Sequence, residues 1–86
     1  MAGDNSKHRT TVTIYGQQYK IVSDESPRHV ENVADYLDQK MREFKNYNPY
    51  LDTTSLAVLT AVNITDDYFK MKRKLELYEK EEREEE

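Results

Sequence analysis

Apolar and polar residues recur in this chain with two different periods, and the change of period divides it. From Thr10 to Val22 the period is two. The runs TTVTIY and QYKIV are rich in β-branched and aromatic residues and read as paired strands. Between them lies Gly16-Gln17, a two-residue connection with Gly first, as a type II′ turn wants. That turn predicts Tyr15 opposite Gln18, Ile14 opposite Tyr19, Thr13 opposite Lys20 and Val12 opposite Ile21. Val12, Ile14, Tyr19 and Ile21 then share one face and polar residues take the other. Tyr15 is expected on the outer side of the tip, away from the core.

After Ser26-Pro27 the period becomes helical. Ser26 suits an N-cap and Pro27 the first helical position. Val30, Val33, Ala34, Leu37, Met41 and Phe44 follow at spacings of three and four and form one apolar stripe. Asn46-Tyr47-Asn48-Pro49 breaks the helix. Asp52 or Thr53 can cap the next.

From Thr54 to Glu86 there is neither Gly nor Pro. Leu56 to Ile64 is apolar on nearly every side, which predicts burial all round. Apolar residues at Ala57, Ala61, Ile64, Tyr68, Met71, Leu75 and Tyr78 step by four and three alternately, the spacing that keeps one seam of a helix facing a partner helix. At about 1.5 Å per residue such a helix is roughly 50 Å long. The rest of the chain is too small to cover it, so a second copy packed about a two-fold axis is the economical cover. Leu56, Leu59, Ala61, Val62, Ile64, Tyr68, Met71, Leu75 and Tyr78 are the expected oligomer interface.

The predicted fold is therefore α+β. Residues 1–9 form a disordered arm. Residues 10–65 form a head of hairpin (10–22), amphipathic helix (27–45) and the start of helix two from 54. Residues 66–86 form a coiled-coil extension.

Composition narrows the function. Eighty-six residues make one small domain at most. With no cysteine, neither a disulfide nor a thiolate metal site can staple it, and oligomerisation is the remaining route to stability. No apolar run nears the ~20 residues of a membrane span, so a cytoplasmic protein without membrane contact is expected. The net charge of −4 lies in the last eight residues, EKEEREEE, and the body before them balances to zero. That disfavours nucleic acid as a partner. The acids sit where the helix dipole disfavours them, so the tail reads as a solvated, fraying end.

Candidate chemistry is thin. His8 falls in the arm and His29 in the first helical turn, neither beside a nucleophile. No Gly-rich phosphate loop is present, and Asp66-Asp67 diverge by about 100° on a helix. No enzyme, cofactor or metal is expected. Lys70, Lys72, Arg73 and Lys74 read as a solvated flank paired with Glu76, Glu79 and Glu81, and a nucleic-acid patch is the weaker reading. Exposed tyrosines on turns (Tyr15, Tyr47, Tyr50) are candidate anchors for a partner.

Several strings carry a resemblance. TVTIYGQQYKI, the Ser26-Pro27 helix start, YLDQKMREF and NPYLDTTSLAVLTAVNITDDYFK together resemble the ZapA family of bacterial cell-division proteins, over about Thr11 to Lys74. The resemblance implies dimers formed through the head and helix, which can pair into tetramers through the coiled coil. It implies binding to FtsZ, the tubulin-like GTPase of the division ring, with protofilaments bridged and bundled at mid-cell and nothing hydrolysed. In some family members a basic residue after the turn Gly is implicated in FtsZ binding. Gln17 stands there in this chain, and Thr54 stands where helix two starts with an acid. Tyr15, Gln17, Gln18 and Thr54 are thus the candidate FtsZ-binding residues. The rival reading is a coiled-coil adaptor for another partner.

Overall fold

The structure is a computed structural model and describes residues 7–85, with side chains to residue 83. Two strands, β1 (His8–Ile14) and β2 (Gln17–Ser23), precede two helices, α1 (Pro27–Tyr47) and α2 (Thr53–Glu85). Most of the expected arm lies outside the described residues, but His8 and Arg9 do not. They pair with Ser23 and Val22 and lengthen the hairpin.

The register differs from the expected one. Ile14 lies opposite Gln17, Thr13 opposite Gln18, Val12 opposite Tyr19 and Thr10 opposite Ile21. The turn is Tyr15-Gly16, with φ of 51° and 81°. Positive φ at both central residues is the type I′ demand, which wants Gly second rather than first. The local sequence favours the type II′ turn, because the type I′ turn sets the bulky Tyr15 at positive φ. A contact from α1 chooses between them, since the Tyr15 N–H donates to Asp38 Oδ1 at 2.6 Å. The change slides β2 by two residues, so every side chain still within the strands keeps its face, while Tyr15 passes into the turn. Val12 is buried and Ile14 and Ile21 are half-buried, as the pattern requires, whereas Tyr19 remains 49 % exposed.

A Cβ on Gly16 would meet open space. Any cost of Gly16→Val therefore comes from the backbone alone. Forcing a β-branched residue to that φ is expected to destabilise the fold by about 1–3 kcal/mol. A urea midpoint equal to the parent's would contradict the positive φ.

α1 begins as the sequence implies. Ser26 is extended, Pro27 is the first helical residue, and Ser26 Oγ accepts from the His29 N–H at 3.1 Å. Val30, Ala34 and Met41 are buried, but Val33 faces out, so the stripe is narrower than the spacing suggests. The helix runs two residues past the expected end, to a cap in which the Asn48 N–H donates to Phe44 O. Lys45 Nζ then donates to Leu51 O at 2.7 Å and pins the connection. Asp52 caps α2, its Oδ1 accepting from the Ser55 N–H at 2.7 Å.

The core is one layer deep. Val12, Val30 and Ala34 form its centre, with Ile14 and Ile21 packed against it. α2 contributes Leu56 and Thr60, both fully buried. The Thr60 hydroxyl donates to Leu56 O at 2.7 Å, so its burial leaves no unmet polar group. Beyond Asp67 α2 runs on, and every side chain described there, to residue 83, is exposed. The radius of gyration, 17.4 Å, records that projection; a compact chain of this length has about 12 Å.

Candidate interaction surfaces

The expected interface residues do not share one face of α2. Leu56 is taken up by its own chain's core and has no surface to offer another copy. Ala57, Ala61, Tyr68, Met71, Leu75 and Tyr78 are exposed along the seam, with Ile64 half-buried at its inner border. Leu59 and Val62 stand roughly 150° round the helix from that seam. They border the crease formed by Phe44, Tyr47 and Leu51 at the end of α1. Val62 also belongs to a second apolar stripe with Val58 and Phe69. Met71 is 70 % exposed and Val62 59 %. α2 therefore shows water two apolar faces on opposite sides, where the heptad spacing alone pointed to one.

The charged flank pairs differently from expectation. Lys70 Nζ meets Asp66 Oδ2 at 2.9 Å, back toward the helix start rather than on toward Glu76. Among the described residues no cluster of His, Asp and Glu could hold a metal ion, and no helix is long and apolar enough to cross a membrane.

The hairpin tip gathers a second set. Tyr15, Gln17 and Tyr19 share the wall of a cavity of about 350 Å³ with Ile14, Ile21, Leu37, Met41, Thr53 and Ala57. Gln17 and Gln18 are both exposed but point to opposite faces of the sheet. Thr54 is exposed at the start of α2, yet its neighbour Thr53 lines the cavity beside Tyr15 and Gln17. Tyr15 is not the free outer residue expected. It is half-buried, and the Arg42 guanidinium lies 5.4 Å from its ring centre. Tyr47 and Tyr50 are almost fully exposed; Tyr47 borders the crease beside Leu59 and Val62, and neither lines the tip cavity.

Two members of the tip had no place in the sequence reading. Asp38 accepts from Tyr15 and, through Oδ2, from Arg42 Nε at 3.0 Å. The Arg42 hydrogen bond, and after it the Tyr15 N–H, favour the carboxylate and hold the Asp38 carboxyl below its usual range. Its folded-state value lies below the unfolded one. The contribution is thus fully present above the unfolded pKa of about 3.9 and fades as pH falls through the lower folded value. The Asp38-Arg42 spacing of four residues was the available signal, since it marks an ion pair on a helix face.

The chain matches the family described as cell division protein ZapA over residues 10–86. The chain belongs to the ZapA family. The ZapA of Shouchella clausii is 58 % identical over 88 % of this chain and 97 % of its own length. That of Bacillus subtilis is 51 % identical, covering 91 % of this chain and 92 % of the relative. A solved structure, a ZapA mutant dimer from Geobacillus stearothermophilus, superposes with a TM-score of 0.72 at 47 % identity, covering 87 % of each chain. The hairpin, α1 and long α2 are thus the ZapA architecture, and this is a cell-division protein.

Proposed function

We propose that this ZapA-family chain is a non-enzymatic cross-linker of FtsZ filaments, acting in the cytoplasm at the mid-cell division ring. The observation that carries the reading is the pair of apolar faces that α2 leaves uncovered. A chain of 10.2 kDa exposes 7449 Å², where a compact monomer of that mass exposes about 5300 Å². The surplus is more than one partner gives to a standard interface, about 800 Å². Pairing through the seam of Ala57, Ala61, Ile64, Tyr68, Met71, Leu75 and Tyr78 covers one face. The stripe of Val58, Val62 and Phe69, with Leu59 beside it, remains for dimers to pair into tetramers. The mutant dimer of the Geobacillus relative supports self-association. A rise of melting temperature with protein concentration is expected. A folded monomer at micromolar concentration in sedimentation equilibrium would contradict it.

Each copy then carries one hairpin tip, and an assembly carries two or more on a stiff frame. One weak contact to a filament raises the effective concentration of the next. Bundling follows without tight one-to-one affinity. The tip residues Tyr15 and Gln17, with Gln18 and Thr54 at its margins, form the proposed FtsZ-binding face. Gln17 is exposed and makes no hydrogen bond through its side chain among the described residues. Gln17→Glu should lower cosedimentation with FtsZ severalfold while leaving circular dichroism unchanged. Pelleting equal to the parent's would move the face elsewhere, first to Thr53–Ser55.

A further inference from the structure

Tyr15 is the one described residue other than Gly with positive φ, at 51°. The first central position of a type I′ turn ordinarily holds Asn, Asp or Gly. A bulky side chain there is an outlier, and such strain persists only where the surroundings over-determine it. The surroundings here are specific. The Tyr15 N–H donates to Asp38 Oδ1 at 2.6 Å, across 23 positions of sequence. Arg42 Nε donates to Asp38 Oδ2 at 3.0 Å. The Arg42 guanidinium then lies 5.4 Å from the centre of the Tyr15 ring. Backbone, carboxylate, guanidinium and ring close one circuit between the hairpin tip and α1.

The circuit adds little to the core. The Arg42 side chain is 59 % exposed and that of Asp38 26 %. A turn selected for stability alone has a simpler solution, because Asn at position 15 tolerates the same φ and keeps the N–H for Asp38. What Tyr15 supplies and Asn would not is an aromatic ring held on the wall of the cavity that Gln17 and Tyr19 also line.

We propose that Asp38 is a positioning residue that latches the hairpin tip to α1 and holds Tyr15 in its strained conformation, ready to dock. The inference rests on the reading that the tip meets the filament. Asp38 itself need touch no partner. It fixes the Tyr15 ring and the direction of Gln17 before contact, so the encounter does not bear the entropy of ordering them.

The test uses Asp38→Ala, Asp38→Asn, Tyr15→Asn and Gln17→Glu in the full chain. Amide hydrogen exchange of Tyr15 is read in the protein alone, and cosedimentation with GTP-assembled FtsZ filaments is read separately. Asp38→Ala should speed Tyr15 exchange by about tenfold or more, with melting temperature and assembly mass close to the parent's. Its pelleting should fall severalfold. Asp38→Asn keeps an acceptor but loses the charge-assisted bonds, and should fall between parent and Asp38→Ala on both readouts. Tyr15→Asn should melt no lower than the parent and still pellet less. Unchanged Tyr15 exchange in Asp38→Ala would overturn the latch. Faster exchange with full binding, while Gln17→Glu binds poorly, would leave the tip as the face and overturn the positioning role alone. Full binding by Asp38→Ala, Tyr15→Asn and Gln17→Glu together would remove the tip reading and the role with it.

Discussion

Leu56→Ala is expected to remove a large share of the stability of the fold. Leu56 has no exposed surface within its own chain, and truncating a fully buried leucine costs about 2–5 kcal/mol. At roughly 0.05–0.15 kcal/mol per residue a domain of this size holds about 4–13 kcal/mol in total, so the loss is a large share of it. It should appear as a large fall in urea midpoint, offset only in part by raising concentration. Leu75→Ala is the control. Leu75 is exposed in the single chain, so its truncation should matter through assembly and depend on concentration. Equal and concentration-independent losses at the two positions would contradict the division of α2 into a part packed in its own head and a part awaiting a partner.

Met71→Glu with Leu75→Glu is expected to separate binding from bridging. Both side chains lie on the seam, beyond the last α2 residue that packs against the head. Four new carboxylates in a paired rod would meet desolvation and like-charge repulsion. The head, built on Val12, Val30, Ala34 and Leu56, lies outside the change. The double variant should therefore keep its hairpin and α1, still pellet with FtsZ filaments, and scatter much less light. Undiminished bundling by a protein shown to have lost seam pairing would mean that association through the stripe of Val58, Val62 and Phe69 suffices for bridging. Loss of folding as well would mean that head and rod form one cooperative unit.

The elements of this fold were legible because their signals are local. Ser26 and Pro27 mark the start of α1 by their own chemistry, and the hairpin strands announce themselves by β-branched alternation. The register was not legible. Gly16 satisfies either turn type, and the choice rests on Asp38, twenty-three positions away from Tyr15. The phase of α2 was hidden for a different reason. Where Leu56 to Ile64 is apolar all round, periodicity has no contrast. Nothing local told Leu56 and Thr60, which turn inward, from Leu59 and Val62, which do not. Beyond Asp66 polar residues frame a line of apolar positions, which the sequence marks and the structure leaves exposed. The candidate site followed the same rule. Gln17 could be chosen from its place at the tip, whereas the clamp on Tyr15 needed the third dimension.

Right-angle light scattering of FtsZ polymerising with GTP, with and without this protein, tests the proposed function most directly. A strong rise in scattering on adding the protein is expected, with an unchanged rate of GTP hydrolysis per bound nucleotide and bundles visible by electron microscopy. Scattering identical to FtsZ alone, at concentrations where the protein is assembled, would contradict cross-linking and leave a coiled-coil adaptor for a different partner.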